Sequence, residues 1–223
     1  MTPAGGIGVL GGSFNPVHLG HLRAAEEVRE DQALDEVLLV PAAVPPHKDA
    51  TGIAPAQHRL RMLELAIAGR PGLRAARLEL DRPGPSYTID TLRALRAENG
   101  DRRLVFAVGW DAFREIGTWK EHTAIFATCD VVVVTRPPGP TRLTIEDIPV
   151  AAKEAFCYDP SSESFRHASG YVLSLQRITA LDISAAAIRA RVAAGRSIRF
   201  LVPPAVEAYI QAHQLYRPGD ATR

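Results

Sequence analysis

The chain has 223 residues, 46% of them hydrophobic and 23% charged, with a formal net charge of +1. That length and balance suit one soluble α/β domain with insertions, large enough to bury a core without disulfides or a structural metal. The near-neutral charge argues against nucleic-acid binding, Cys129 and Cys157 fit no metal or redox motif, and no apolar run suits a leader or a membrane span, so a cytoplasmic protein without nucleic-acid or membrane partners is expected.

The hydrophobic pattern predicts a short buried strand over 7–10, a loop over 11–16 and a helix over 19–31 with Leu22, Ala25 and Val28 at helical spacing. A second strand is expected over 36–40, closed by Pro41, and four prolines within 41–55 mark a loop. Helical spacing returns over 58–68, followed by a candidate strand over 74–80 and a helix over 88–99 that Asn99-Gly100 would stop. Strands over 104–108 and 130–135 flank two short helical stretches, 111–116 and 122–126. Residues 137–170, rich in Pro, Ser and charge, fit no regular pattern and read as an insertion. A last strand over 171–178 and helices over 184–194 and from Pro204 to about His213 complete the chain, the C-terminal helical part spanning 183–215. Alternating strands and helices imply a Rossmann-like, doubly wound parallel sheet with helices on both faces and a C-terminal helical segment, all within one domain.

Gly6, Gly8 and Gly11 match G-x-G-x-x-G. That dinucleotide-binding turn must follow a strand and open a helix, yet only five residues precede Gly6 and the pattern runs through the first predicted strand, so the match is read as chance. The informative part begins at Gly11. Gly11 and Gly12 end a strand and let backbone approach a ligand, and His18 and His21 fall at the mouth of the next helix, three apart and so on one face. A helix N-terminus offers N–H groups and a positive dipole end that favour phosphate. Two imidazoles beside it can donate to phosphate oxygens, with Gly20 leaving room for the ligand.

These residues resemble the nucleotidylyltransferase superfamily with its HxGH motif, and within it the bacterial nicotinate-nucleotide adenylyltransferases. The blocks that carry the resemblance are GGSFNPVHLGHL (11–22), PPHK (45–48), SYTIDTL (86–92), Gly109-Trp-Asp111, Thr118-Trp-Lys120, Ile183-Ser-Ala-Ala-Ala-Ile-Arg189 and Phe200-Leu-Val-Pro203. Three positions depart from the family pattern: Ala186 stands where a threonine is common, Trp110 where a small residue is usual, and Asn15 where many members have aspartate.

The resemblance implies transfer of AMP from ATP to nicotinate mononucleotide, giving deamido-NAD and pyrophosphate. It places His18, His21, Lys48 and Arg189 in the catalytic set. It assigns ATP to Gly11, Gly12, Ser13, Phe14, Gly109, Asp111, Ile183, Ser184 and Arg189, and nicotinate mononucleotide to Lys48, Tyr87, Thr88 and Trp119. Mg²⁺ would arrive bound to ATP, with no protein metal cage. ATP and nicotinate mononucleotide are the expected partners, and homo-oligomer formation is left open.

Plainer roles stand beside these. Lys48 suits a solvated surface, Ser184 and Asp111 suit helix caps, and Trp119 suits the core. Rival functions are amide-acceptor adenylyl transfer, another HxGH enzyme such as a pantetheine-phosphate adenylyltransferase or a class I tRNA synthetase, and a non-catalytic nucleotide sensor. The synthetase reading lacks a KMSKS-like loop and a tRNA-binding region.

Overall fold

The computed structural model describes residues 5–43 and 52–217. Its first half alternates strand and helix: β1 (Gly6–Gly12), α1 (Leu19–Asp31), β2 (Glu36–Pro41), α2 (Ala56–Ile67), β3 (Leu73–Ala75), α3 (Thr88–Asn99), β4 (Arg103–Gly109), α4 (Trp110–Phe113), α5 (His122–Phe126) and β5 (Asp130–Thr135). Then come β6 (Phe156–Asp159), β7 (Ser164–His167), β8 (Val172–Arg177), α6 (Ala185–Ala193) and α7 (Pro204–Ala212). One sheet runs β3-β2-β1-β4-β5-β8-β7-β6. The strands from β3 to β8 pair in parallel, while β7 pairs antiparallel with both β8 and β6.

The central strands β1, β2, β4 and β5 bury both faces, which explains their nearly unbroken apolar sequence. Along β4, Leu104, Phe106 and Val108 face a layer containing Ile89, Leu92 and Leu95 of α3 and Ile125 and Phe126 of α5. Val105 and Ala107 face the opposite layer, with Ala25 and Val28 of α1, Met62 and Leu63 of α2, Ile188 of α6 and Val206 and Ile210 of α7. Side-chain alternation thus divides one apolar strand between two helical layers. Among the described residues no helix is long and apolar enough to cross a membrane.

The order 3-2-1-4-5 reverses direction between β1 and β4, the place where ligands bind at the carboxyl ends of an open parallel sheet. In the parallel register Leu10 lies beside Ala107, so Gly12 and Gly109 end their strands at the same level. Gly6, Gly8 and Gly11 all lie within β1, consistent with reading G-x-G-x-x-G as incidental. A Cβ on Gly8 would stand 2.8 Å from Val37 Cγ2 and 2.9 Å from Leu34 Cδ1. Gly8 therefore serves packing between β1 and its neighbours.

Three sequence expectations need correction. Residues 137–170 carry regular structure: 3₁₀ turns at Ile145–Asp147 and Val150–Ala155, then the β6–β7 hairpin that extends the sheet. The strand expected over 74–80 shrinks to Leu73–Ala75, because Leu80 and Asp81 donate to the Arg77 carbonyl and close a turn. The helix expected over 111–116 begins at Trp110 and ends at Phe113, with a 3₁₀ turn over Ile116–Thr118.

Gly8→Ala is expected to destabilise the fold by about 1–3 kcal/mol through overpacking, with the KM for ATP unchanged. Urea unfolding and steady-state kinetics on the same preparation test this. A selective rise in the ATP KM would restore the dinucleotide-turn reading of G-x-G-x-x-G.

Candidate active site

The loop leaving β1 enters the protein interior. Phe14 takes a positive φ of 44° and buries its ring, and Asn15 and Pro16 are buried behind it. Asn15 uses both ends of its amide. Its Nδ2 donates to the Gly52 carbonyl at 2.9 Å, and its Oδ1 accepts from the Ala54 N–H at 3.0 Å and the Tyr216 hydroxyl at 2.8 Å. A carboxylate there could not donate to Gly52, which gives the asparagine a physical reason.

His18 is the N-cap of α1 and accepts through its carbonyl from His21 and Leu22. Its N–H donates to His21 Nδ1 at 3.3 Å. An acceptor at Nδ1 puts the proton of a neutral His21 on Nε2. The two imidazoles stack with centroids 3.7 Å apart, and the Phe14 ring meets His21 edge-on at 5.0 Å. A Cβ on Gly20 would fall 3.1 Å from the His18 ring. Gly20 therefore makes room for this histidine. The Leu19 N–H donates to the Leu201 carbonyl at 3.0 Å, so the C-terminal segment takes one of the amides at the mouth of the helix.

His18 is 6% exposed, and its Nδ1 is buried with no hydrogen-bond partner among the described residues. Burial, seconded by the charge of Arg136, lowers its pKa to about 4. Arg136 follows β5 and donates to the Leu181 carbonyl. It is one of the site residues that sequence reasoning missed.

A cavity of about 290 Å³ opens at the reversal of strand order. It gathers Gly11, Gly12, Ser13, Gly109, Tyr87, Thr88 and Trp119. Tyr87 is the N-cap of α3 and its side chain makes no capping bond, so the helix presents its first turn beside Thr88. Trp119 is half-buried, lines the cavity and meets Phe106 edge-on at 6.4 Å. It belongs to the core margin and to the cavity together. Trp110 stacks on Phe113, and Ala112 lines the cavity instead. Lys120 and Glu79, neither singled out from sequence, also line it. Lys120 pairs with Asp90 at 3.0 Å and lies over the Tyr87 ring, while buried Glu79 accepts from Thr91 at 2.7 Å.

Arg189 lies elsewhere. It lines a second, open cavity of about 390 Å³ with Ala186 and Tyr216, and its Nη1 donates to the Asn15 carbonyl at 2.8 Å. This hydrogen bond ties Arg189 to the loop after β1, whose Ser13 lines the main cavity. Ser184 caps α6 by accepting from the Ala187 N–H at 3.1 Å, with Ile183 just before it. Asp111 does not cap α4: Gly109 occupies that position, and the Asp111 side chain is exposed in the first turn. Lys48 lies outside the described residues.

The pattern of the Cytidylyltransferase-like family matches residues 9–191. A protein of Geobacter sp. (strain M21) named "Probable nicotinate-nucleotide adenylyltransferase" is 47% identical over 210 residues, covering 94% of this chain and 97% of its own length. One of the same name from Syntrophotalea carbinolica is 46% identical over 214 residues, covering 96% and 98%. The chain belongs to this family of nucleotidyltransferases. A solved Plasmodium falciparum structure, described as nicotinic acid mononucleotide adenylyltransferase complexed with NaAD, superposes with a TM-score of 0.71 over 95% of this chain and 97% of that one. At 17% identity that likeness speaks for the fold, the mostly parallel α/β sheet already described.

In this family member burial holds His18 uncharged at neutral pH, and that has a consequence for stability. An unfolded histidine titrates near 6.5 and folded His18 near 4, so between these values the unfolded chain binds more protons. Stability is complete above pH 6.5 and falls as the pH drops toward 4, by roughly 3 kcal/mol in all from this residue. His18→Gln is expected to flatten that part of the curve. Urea unfolding from pH 7 to pH 4 checks it, and equal slopes in the two proteins would remove His18 as the source.

Proposed function

We propose that this chain transfers the AMP group of ATP to the 5′-phosphate of nicotinate mononucleotide, releasing pyrophosphate and forming deamido-NAD. An oxygen of the acceptor phosphate bonds to the α-phosphorus. The bond from that phosphorus to the bridging oxygen breaks, and the leaving pyrophosphate takes the electron pair. The attacking oxygen is already anionic, so no general base is required. The protein's contribution is alignment and stabilisation of shifting negative charge.

The observation that carries this reading is the cavity at the switch point, with glycine backbone on one side and an open helix N-terminus beside a tryptophan on the other. Gly11, Gly12, Ser13 and the backbone of Phe14 suit the phosphates of ATP. His21, with its proton assigned to Nε2, and neutral His18 suit donation to oxygens that gain charge during transfer. The first turn of α3 at Tyr87 and Thr88 suits the nicotinate carboxylate, since helix N-terminal amides favour an anion over a neutral amide. Trp119 offers a flat face for the pyridine ring. Asp111 suits the adenosine ribose hydroxyls, Ser184 and Ile183 the start of α6 beside the triphosphate, and Arg189 and Lys48 the phosphate charge. With Ala186 lining the Arg189 cavity, a methyl group stands where a hydroxyl would add a phosphate contact, so more of that duty falls to Arg189.

A divalent cation such as Mg²⁺ would ride on the triphosphate oxygens and neutralise part of their charge. Among the described residues no three His, Cys, Asp or Glu side chains converge as a metal cage.

Pyrophosphate release with ATP is expected to be faster for nicotinate mononucleotide than for its amide, and His21→Ala to lower kcat by about 100-fold or more, the scale of losing a transition-state donor. Coupled pyrophosphate detection with both acceptors checks this. Faster amide turnover would overturn the acceptor assignment, and near wild-type turnover of His21→Ala would overturn the histidine's role.

Trp119→Ala is expected to raise the KM for nicotinate mononucleotide about tenfold, consistent with a stacking contribution of about 1–3 kcal/mol, and to change the KM for ATP little. Equal changes in the two KM values would make Trp119 a packing residue only.

A further inference from the structure

Arg59, in the first turns of α2, is 1% exposed. Among the described residues no carboxylate pairs with it. Its partners are three backbone carbonyls: Nε donates to Ala54 at 2.9 Å, Nη1 to Ser13 at 2.9 Å and Nη2 to Ala43 at 3.3 Å. Burial lowers its pKa from the usual arginine value, yet guanidinium keeps its proton at any physiological pH. The cation is therefore satisfied by dipoles alone, through a planar group whose donors leave at fixed angles.

The three carbonyls come from separate stretches of chain. Ser13 belongs to the loop after β1 and lines the main cavity. Ala43 follows β2, and its own N–H donates to Ser86 Oγ at 2.9 Å, immediately before Tyr87 and Thr88. Ala54 precedes α2, and its N–H donates to Asn15 Oδ1 at 3.0 Å. One guanidinium thus joins the loop read as the ATP side to the helix start read as the acceptor side, through residues whose carbonyls it holds and of which Ala43 and Ala54 also donate their N–H groups to Ser86 and Asn15.

We propose that Arg59 is a positioning residue for adenylyl transfer, setting the separation between the ATP loop and the acceptor-binding start of α3. The inference rests on the adenylyltransferase reading above. Arg59 touches neither substrate and acts through Ser13 on one side and Ala43 with Ser86 on the other. In-line transfer tolerates little error in that separation, because a displacement near 1 Å can cost about two orders of magnitude in rate. Lysine keeps the charge but cannot direct donors at three carbonyls together.

The test compares wild type, Arg59→Lys, Ser86→Ala and the double variant by pyrophosphate release, with folding followed by circular dichroism and thermal unfolding. Wild-type turnover of nicotinate mononucleotide establishes the underlying reading, and its absence would remove that reading rather than the role of Arg59 alone. Given wild-type turnover, folded Arg59→Lys is expected to lose at least tenfold in kcat, with the KM for each substrate within threefold. Ser86→Ala is expected to lose severalfold in kcat, and the double variant less than the product of the single losses, as residues on one mechanical path are non-additive. A folded Arg59→Lys with kcat within twofold of wild type would overturn the proposal, as would multiplicative losses. If Arg59→Lys does not fold, Ser86→Ala decides: a kcat loss at unchanged KM supports the path, and unchanged kcat refutes it.

Discussion

A loop that dives into a protein interior carries its carbonyls with it, and each must find a donor. The segment after β1 meets that constraint with arginine. Arg59 takes the Ser13 carbonyl and Arg189 takes the Asn15 carbonyl, while the Asn15 side chain fastens the same loop to Gly52, Ala54 and Tyr216. A buried carbonyl without a partner costs about 1–3 kcal/mol, so releasing either arginine would favour a different path for the loop. The shape of this backbone follows from where its inward-facing oxygens are held.

The sheet supplies the second constraint. Reversal of strand order between β1 and β4 leaves a crevice at their carboxyl ends, and right-handed crossovers bring the starts of α1 and α3 to the same edge. The two helix starts carry different equipment. The start of α1 carries two stacked imidazoles. The start of α3 carries no side-chain cap, with Tyr87, Thr88 and Trp119 around it. Under the adenylyltransferase reading, that difference in surroundings suits the start of α1 to a polyphosphate and the start of α3 to a small carboxylate.

Much of this was legible in the chain because local signals agreed with the tertiary result. The helix over 19–31 and the histidines at its mouth follow from apolar spacing beside a glycine-rich strand end, and Gly11–Ser13, Gly109, Tyr87, Thr88 and Trp119 do converge. The β6–β7 hairpin was hidden because its four-residue strands sit at the sheet edge and bury few positions: Phe156 and Phe165 are buried, whereas Cys157, Tyr158 and Arg166 are exposed. Arg59 was hidden for another reason. An arginine in a Gln-His-Arg-Leu helical stretch carries the same local pattern as a solvated one, and only the return of Ser13, Ala43 and Ala54 to its side makes it interior. Gly20 points the same way: its small size serves a neighbouring ring that periodicity could not place.

The histidine pair and Arg59 also make opposite uses of burial. Arg59 stays charged because its donors meet full carbonyl dipoles, whereas His18, buried and near the charge of Arg136, responds by giving up its proton. Stacking at 3.7 Å reinforces that outcome, since two imidazolium rings in such contact would repel strongly in a medium less polar than water. A neutral imidazole still has one N–H to donate, and it adds no fixed positive charge that would hold the departing pyrophosphate. Under the adenylyltransferase reading, strong cationic attraction falls to arginines such as Arg136 and Arg189, while the pair donates hydrogen bonds that strengthen as charge grows on the oxygens. That division favours the transition state over tight binding of either substrate or product, which is the condition for turnover.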